Sequence, residues 1–91
     1  GPVACEIDAD PLHNYRKGIL NAPQKTAGTN HIVAIVGWGT AEDGTKFWQV
    51  RNSWGEYWGE QGFFRIVRGS NQLLLESNCA WAVPGSWTDI N

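Results

Sequence analysis

A chain of 91 residues with a net charge of −2 and no run of like charges suits one small domain and is poorly matched to nucleic acid or an anionic membrane as main partner. Its longest apolar stretch, residues 32–36, is far below the roughly 20 residues that a membrane helix needs. Gly1-Pro2 has no basic region or apolar signal segment behind it, and the low charge content with six tryptophans fits a piece that buries a face against another domain.

In chain order, Val3, Cys5 and Ile7 alternate with Ala4, Glu6 and Asp8, the period of a half-buried strand. Asp8-Ala9-Asp10-Pro11 breaks that strand, with an aspartate before proline as helix cap. Leu12, Tyr15 and Ile19 then face the core from a short helical turn ending at Gly18. His13, alone among polar neighbours, reads as a solvated surface residue. Residues 21–30 contain Pro23 and Gly28 and lack periodicity, as expected of a surface loop that delivers His31.

From His31 the pattern changes. Residues 32–36 are apolar on both faces and rich in β-branched side chains, which predicts a central strand covered on both sides. Gly37-Trp38-Gly39 allows close backbone approach or a bulge. Ala41-Glu42-Asp43-Gly44 supplies a hairpin turn, and residues 46–51 return as the partner strand running into Asn52. A strand that starts at His31 and an antiparallel partner that ends at Asn52 bring both residues to one end of the sheet.

Asn52-Ser53-Trp54-Gly55 opens a glycine-rich loop that also holds Trp58, Gly59 and Gly62. Two tryptophans in such a loop suggest a shield over something polar. Residues 63–68 read as a further strand, 69–72 as a turn, 73–75 as an apolar patch and 80–83 as a last short strand. Pro84 onward reads as a surface tail in which Trp87 and Ile90 are free to pack. The expected fold is mostly β: an antiparallel sheet of about five strands curled toward a barrel.

The two cysteines, Cys5 and Cys79, fit equally a disulfide or two buried free thiols. Neither has the setting of a nucleophile: Cys5 shares a strand face with Val3, and Cys79 precedes an apolar segment. Without Cys-x-x-Cys spacing, no metal or redox site is expected, and no cofactor is implied.

A histidine and an asparagine at one sheet edge have a specific chemical use. The imidazole serves as base and acid for a nucleophile when its second nitrogen is held by an acceptor, and an asparagine oxygen does this without adding charge. Beside a cysteine nucleophile, such a histidine lowers the thiol pKa to roughly 3–4. A stacked tryptophan keeps water from the His–Asn hydrogen bond. A core histidine, a turn-forming asparagine and ordinary core tryptophans fit the same residues.

Asn30-His31-Ile32-Val33, Gly37-Trp38-Gly39, Phe47-Trp48, Asn52-Ser53-Trp54-Gly55, Trp58-Gly59 and Gly62-Phe63 together resemble the papain-like cysteine protease family, in order and spacing and over nearly the whole chain. Gly1-Pro2-Val3-Ala4-Cys5 and the segment Glu76-Ser77-Asn78-Cys79-Ala80-Trp81-Ala82-Val83-Pro84 resemble its cathepsin X (Z) branch most, with cathepsin B next.

The resemblance implies that this is the C-terminal, β-rich domain of such an enzyme, with His31 as catalytic base and Asn52 as its orienting partner. It implies that Trp54 covers their hydrogen bond and that Trp58 lines the primed side of the cleft. Glu6, Asn30, Ile32 and Asn78 would border the substrate pocket, an inward Glu6 favouring basic side chains. It further implies a Cys5–Cys79 disulfide and a lysosomal or secreted location. The partners implied are a peptide substrate and the N-terminal part of the same enzyme.

The family's nucleophilic cysteine precedes its histidine by roughly 130–150 residues, so this sequence is expected to be about the C-terminal third of a mature enzyme. A carboxypeptidase is the expected activity. A homologue with a replaced nucleophile, acting in binding or structure, is the competing reading, and an independent small β module is a third.

Overall fold

The computed structural model describes residues 2–23, 26 and 28–81. Its strands are β1 (Val3–Ile7), β2 (Ile19–Leu20), β3 (His31–Thr40), β4 (Lys46–Arg51), β5 (Phe63–Val67) and β6 (Cys79–Trp81), with 3-10 helices at Asp10–Asn14 and Gln72–Leu74. All six strands join one sheet in the order β2-β5-β4-β3-β1-β6. The residues expected as the tail lie outside the described region, as do Ala82 and Val83 of the expected last strand.

As expected, β1, β3, β4, β5 and β6 pair antiparallel in one sheet; it stays open, and β2 makes it mixed. β2 runs parallel to β5, with Ile19 opposite Arg65 and Leu20 opposite Ile66. The expected helical turn ending at Gly18 is shorter than its apolar spacing suggested. The 3-10 helix ends at Asn14, its cap position is Ala9 rather than an aspartate, and Pro11 lies in its first turn. Asp8 instead accepts the Asp10 N–H on Oδ1 at 3.1 Å. Gly18 then turns the chain with φ +87°, a conformation natural to glycine. The Tyr15 hydroxyl donates to the Gly18 carbonyl at 2.6 Å, and the Gly18 N–H donates to Glu60 at 3.0 Å. These two bonds hold the next two residues extended beside β5.

β3 and β4 form the expected hairpin, with a bulge between Ile35 and Gly37 that interrupts the register. One sheet face carries the core: Ile7, Leu12, Val50, Phe64 and Ile66 are wholly buried, with Leu73 and Leu75 packed in from the second 3-10 helix. Across the strands Val50 sits opposite Ile35 and Phe64, and Trp48 opposite Ile66, so inward side chains align in rows.

The other face of β3 stays open, contrary to the strand covered on both sides that its apolar run suggested; Ile32 and Val36 are each 42% exposed. On that face Arg51 lies over the Phe63 ring and Arg65 over the Phe47 ring, at 5.3 and 5.5 Å. Guanidinium groups thus cover part of an aromatic surface that the core does not take.

Candidate active site

The β3–β4 hairpin places His31 at the first residue of one strand and Asn52 just past the last residue of the other. His31 Nε2 and Asn52 Oδ1 are 2.7 Å apart. The Ser53 main-chain N–H donates to the same Oδ1 at 2.8 Å. A main-chain N–H can only donate, so the atom between Ser53 and His31 is the amide oxygen and Nε2 must carry the hydrogen. Nδ1 is therefore the ring atom available to accept a proton. Asn52 is only 7% exposed, so few waters can compete for its oxygen.

The loop that follows is shaped by its glycines. The Asn52 N–H donates to Gly62 at 3.0 Å and the Gly62 N–H to Trp58 at 2.8 Å, closing the loop on itself. Gly59 has φ +59°, and a Cβ there would lie 2.7 Å from the Phe63 carbonyl oxygen and 3.1 Å from the Tyr15 ring. No larger residue fits that position without displacing backbone.

This fold-back presents Trp54 to His31, with ring centroids 5.4 Å apart and planes 28° from parallel. Trp58 meets Trp54 edge-on at 5.2 Å and packs against Tyr15 and Phe64. The indole N–H of Trp58 donates to the Leu12 carbonyl at 3.2 Å. The tryptophan loop is thereby tied to the 3-10 helix that precedes β2.

A recess of about 210 Å³ at the β1–β6 edge brings together Glu6, Ile32 and Asn78. Glu6 accepts from the Thr29 hydroxyl and the Asn78 amide, both at 2.6 Å. Asn30 borders a neighbouring recess with His31, but its side chain accepts from the Ala9 N–H and donates to Asp10 at 2.9 and 3.2 Å. Its amide braces the loop before β3. Cys5 and Cys79 face each other across β1 and β6 and form a disulfide.

Three features escaped the sequence. His13 is exposed, as expected of a surface residue, but its ring also stacks on Trp54 at 4.7 Å with planes 19° apart. Glu60 takes a two-pronged contact from Arg65, at 3.0 and 2.8 Å, which together with the Gly18 N–H holds its carboxyl below the usual range despite partial burial. Glu76 gathers the Trp48 indole N–H at 2.8 Å and the Gly69 N–H at 2.7 Å. Each pairing joins residues on separate elements, for which local patterning holds no signal. Among the described residues, no group of three or more His, Cys, Asp or Glu side chains is arranged to hold a metal ion.

A family model for papain family cysteine proteases matches residues 1–83. A viral cathepsin of Adoxophyes honmai nucleopolyhedrovirus is 44% identical over 80 residues, which cover 88% of this chain and 23% of that protein. A cathepsin Z of Onchocerca volvulus is 40% identical over 93 residues, covering 92% of this chain and 30% of that protein. Among solved structures, digestive procathepsin L 3 of Tenebrio molitor larval midgut matches with a TM-score of 0.81 at 36% identity, over 89% of this chain and 27% of that one. The chain thus spans less than a third of each of these relatives. Viral, L-type and Z-type cathepsins match at similar identity, so the similarity defines a family and not the cathepsin X (Z) branch within it.

Proposed function

The chain belongs to the papain family of cysteine proteases, and on that premise we propose that it supplies the general base and its orienting partner to a peptide hydrolase. The observation that carries this reading is the His31–Asn52 hydrogen bond at 2.7 Å, with Ser53 fixing the amide so that Nδ1 is left to accept a proton. Both cysteines of the sequence are joined to each other, so the thiol nucleophile comes from residues outside these 91.

In this mechanism Nδ1 of His31 takes the proton of that thiol, giving a thiolate–imidazolium pair. The thiolate attacks the scissile carbonyl carbon. As the C–N bond breaks, the imidazolium returns the proton to the leaving amine. Water then attacks the thioester, gives a proton to Nδ1 and releases the acid product, and the thiolate is restored. Asn52 holds the ring in one tautomer throughout, and Trp54 keeps the hydrogen bond dry.

The finer reading is a cathepsin X/Z-like carboxypeptidase of the lysosome or the secretory route. The motifs at residues 1–5 and 76–84 and the 40% identity to a cathepsin Z support the branch. The disulfide supports an oxidising compartment.

The test uses the full-length protein. A thiol-directed active-site label should modify one cysteine upstream of this segment. His31→Ala should lower kcat/KM for peptides by roughly 10²–10⁴, and Asn52→Ala by about ten- to hundredfold through loss of one hydrogen bond to a charged ring. Unlabelled protein, or hydrolysis indifferent to His31, would defeat the reading.

A further inference from the structure

Beside the tryptophan loop lies another cavity, of about 240 Å³, lined by His13, Tyr15, Arg16, Tyr57, Trp58 and Gly59. Its construction follows from contacts already described. The Trp58 indole N–H grips the Leu12 carbonyl, so the next residue, His13, is laid on Trp54. Trp54 thus carries two near-parallel imidazoles, one from the His31–Asn52 pair and one from the wall of this cavity.

The chemistry of the wall has one sign. It holds a guanidinium, an imidazole and two phenols, those of Tyr15 and Tyr57, and no carboxylate. Of the acids around it, Asp10 accepts from Asn30, Glu60 is held by Arg65 and Gly18, and the exposed Glu56 beside Tyr57 lies outside the lining. Arg16 makes no ion pair among the described residues. Tyr57 is 97% exposed, leaving its hydroxyl at the rim. A permanently charged fork and a flat aromatic neighbour form a natural seat for a planar anion.

Building on the peptidase reading, we propose that this cavity binds a carboxylate on the leaving-group side of the substrate, with Arg16 as the principal cation and His13 as its second donor. The Glu6 recess then receives the acyl side, and the substrate crosses His31 between an acidic recess and a basic one. Two sources of that carboxylate fit the chemistry: the free C-terminus of a short peptide, and an acidic side chain.

The experiment uses full-length protein and three versions of one peptide: free acid, C-terminal amide, and amide with glutamate placed on the leaving-group side. The wild type should favour the free acid or the glutamate peptide over the plain amide by on the order of tenfold, the effect of one charge-assisted hydrogen bond. Arg16→Gln should collapse that ratio toward one and His13→Ala should reduce it, whereas Lys17→Gln, outside the lining, should leave it intact. A free-acid preference identifies the C-terminus and a glutamate preference identifies a side chain; a ratio unmoved by Arg16→Gln overturns the proposal.

Binding of a free-acid dipeptide, followed by calorimetry in wild type and Arg16→Gln, decides the cavity independently of turnover. A protein that cleaves no peptide but binds the dipeptide through Arg16 would lose the peptidase reading and keep the carboxylate site. Equal binding by wild type and Arg16→Gln would remove the site and leave the peptidase reading standing.

Discussion

Asn52 accepts two hydrogen bonds on one oxygen, and the main-chain donor decides what the side-chain donor must be. Identity at a single atom thus sets the tautomer of the base. Tyr15 shows a different effect of surroundings on one residue. Its hydroxyl is buried and donates to Gly18, and burial is the main reason its pKa is pushed up from 10.0 to about 12. Between those two values the unfolded chain loses a proton that the folded chain keeps, so stability falls as pH rises through that window and is unaffected below it. Ultraviolet titration of the full-length protein should show a late tyrosinate signal that Tyr15→Phe removes. A Tyr15→Phe difference spectrum that titrates near pH 10 would contradict the burial account.

Among the elements, the hairpin is legible in the sequence alone, and so is the meeting of His31 with Asn52. A strong apolar run, an Asp-Gly turn and a returning strand leave one arrangement for the two ends. β2 was hidden because its two residues have no period of their own; the Tyr15, Gly18 and Glu60 bonds hold them in the sheet. His13 was hidden for a related reason: its partner Trp54 reaches it through a loop whose shape depends on Gly59 and Gly62.

The Glu60–Arg65 contact joins the tryptophan loop to β5 and makes a prediction at this scale. Because Arg65 holds the Glu60 carboxyl below its ordinary 4.5, the stability it adds is present above that value and is lost as pH falls through the lowered one. Glu60→Gln should cost about 1 kcal/mol near neutrality, a figure kept small because the pair is part-exposed, and the cost should shrink in acid. Melting temperatures across pH 3–7 would check it, and a cost constant over that range would sink the assignment.

For the molecule as a whole, the family's strand-rich domain was legible in ordered motifs, while the open and mixed character of the sheet was not. The apolar run of β3 suggested a strand covered on both sides, yet Ile32 and Val36 on one face are each 42% exposed. The disulfide belongs to this scale because it links residues 74 apart in sequence. In the chain-entropy model a closed loop of that length is worth roughly 4.5 kcal/mol. Replacing Cys5 and Cys79 together by alanine in the full-length protein should therefore lower the melting temperature markedly, with a loss of about 2–5 kcal/mol in denaturant titrations. An unchanged midpoint would show that packing alone fixes β6.

The hairpin and the sheet edge also differ in when they can form. His31 and Asn52 meet through the turn that joins neighbouring strands, whereas Glu6 and Asn78 meet only after nearly the whole described chain has been gathered. Short loops close at lower entropic cost and sooner than long ones. During refolding the proton-handling pair should therefore be in place while the walls that select the substrate are still apart. Chemistry precedes discrimination in the life of this fold.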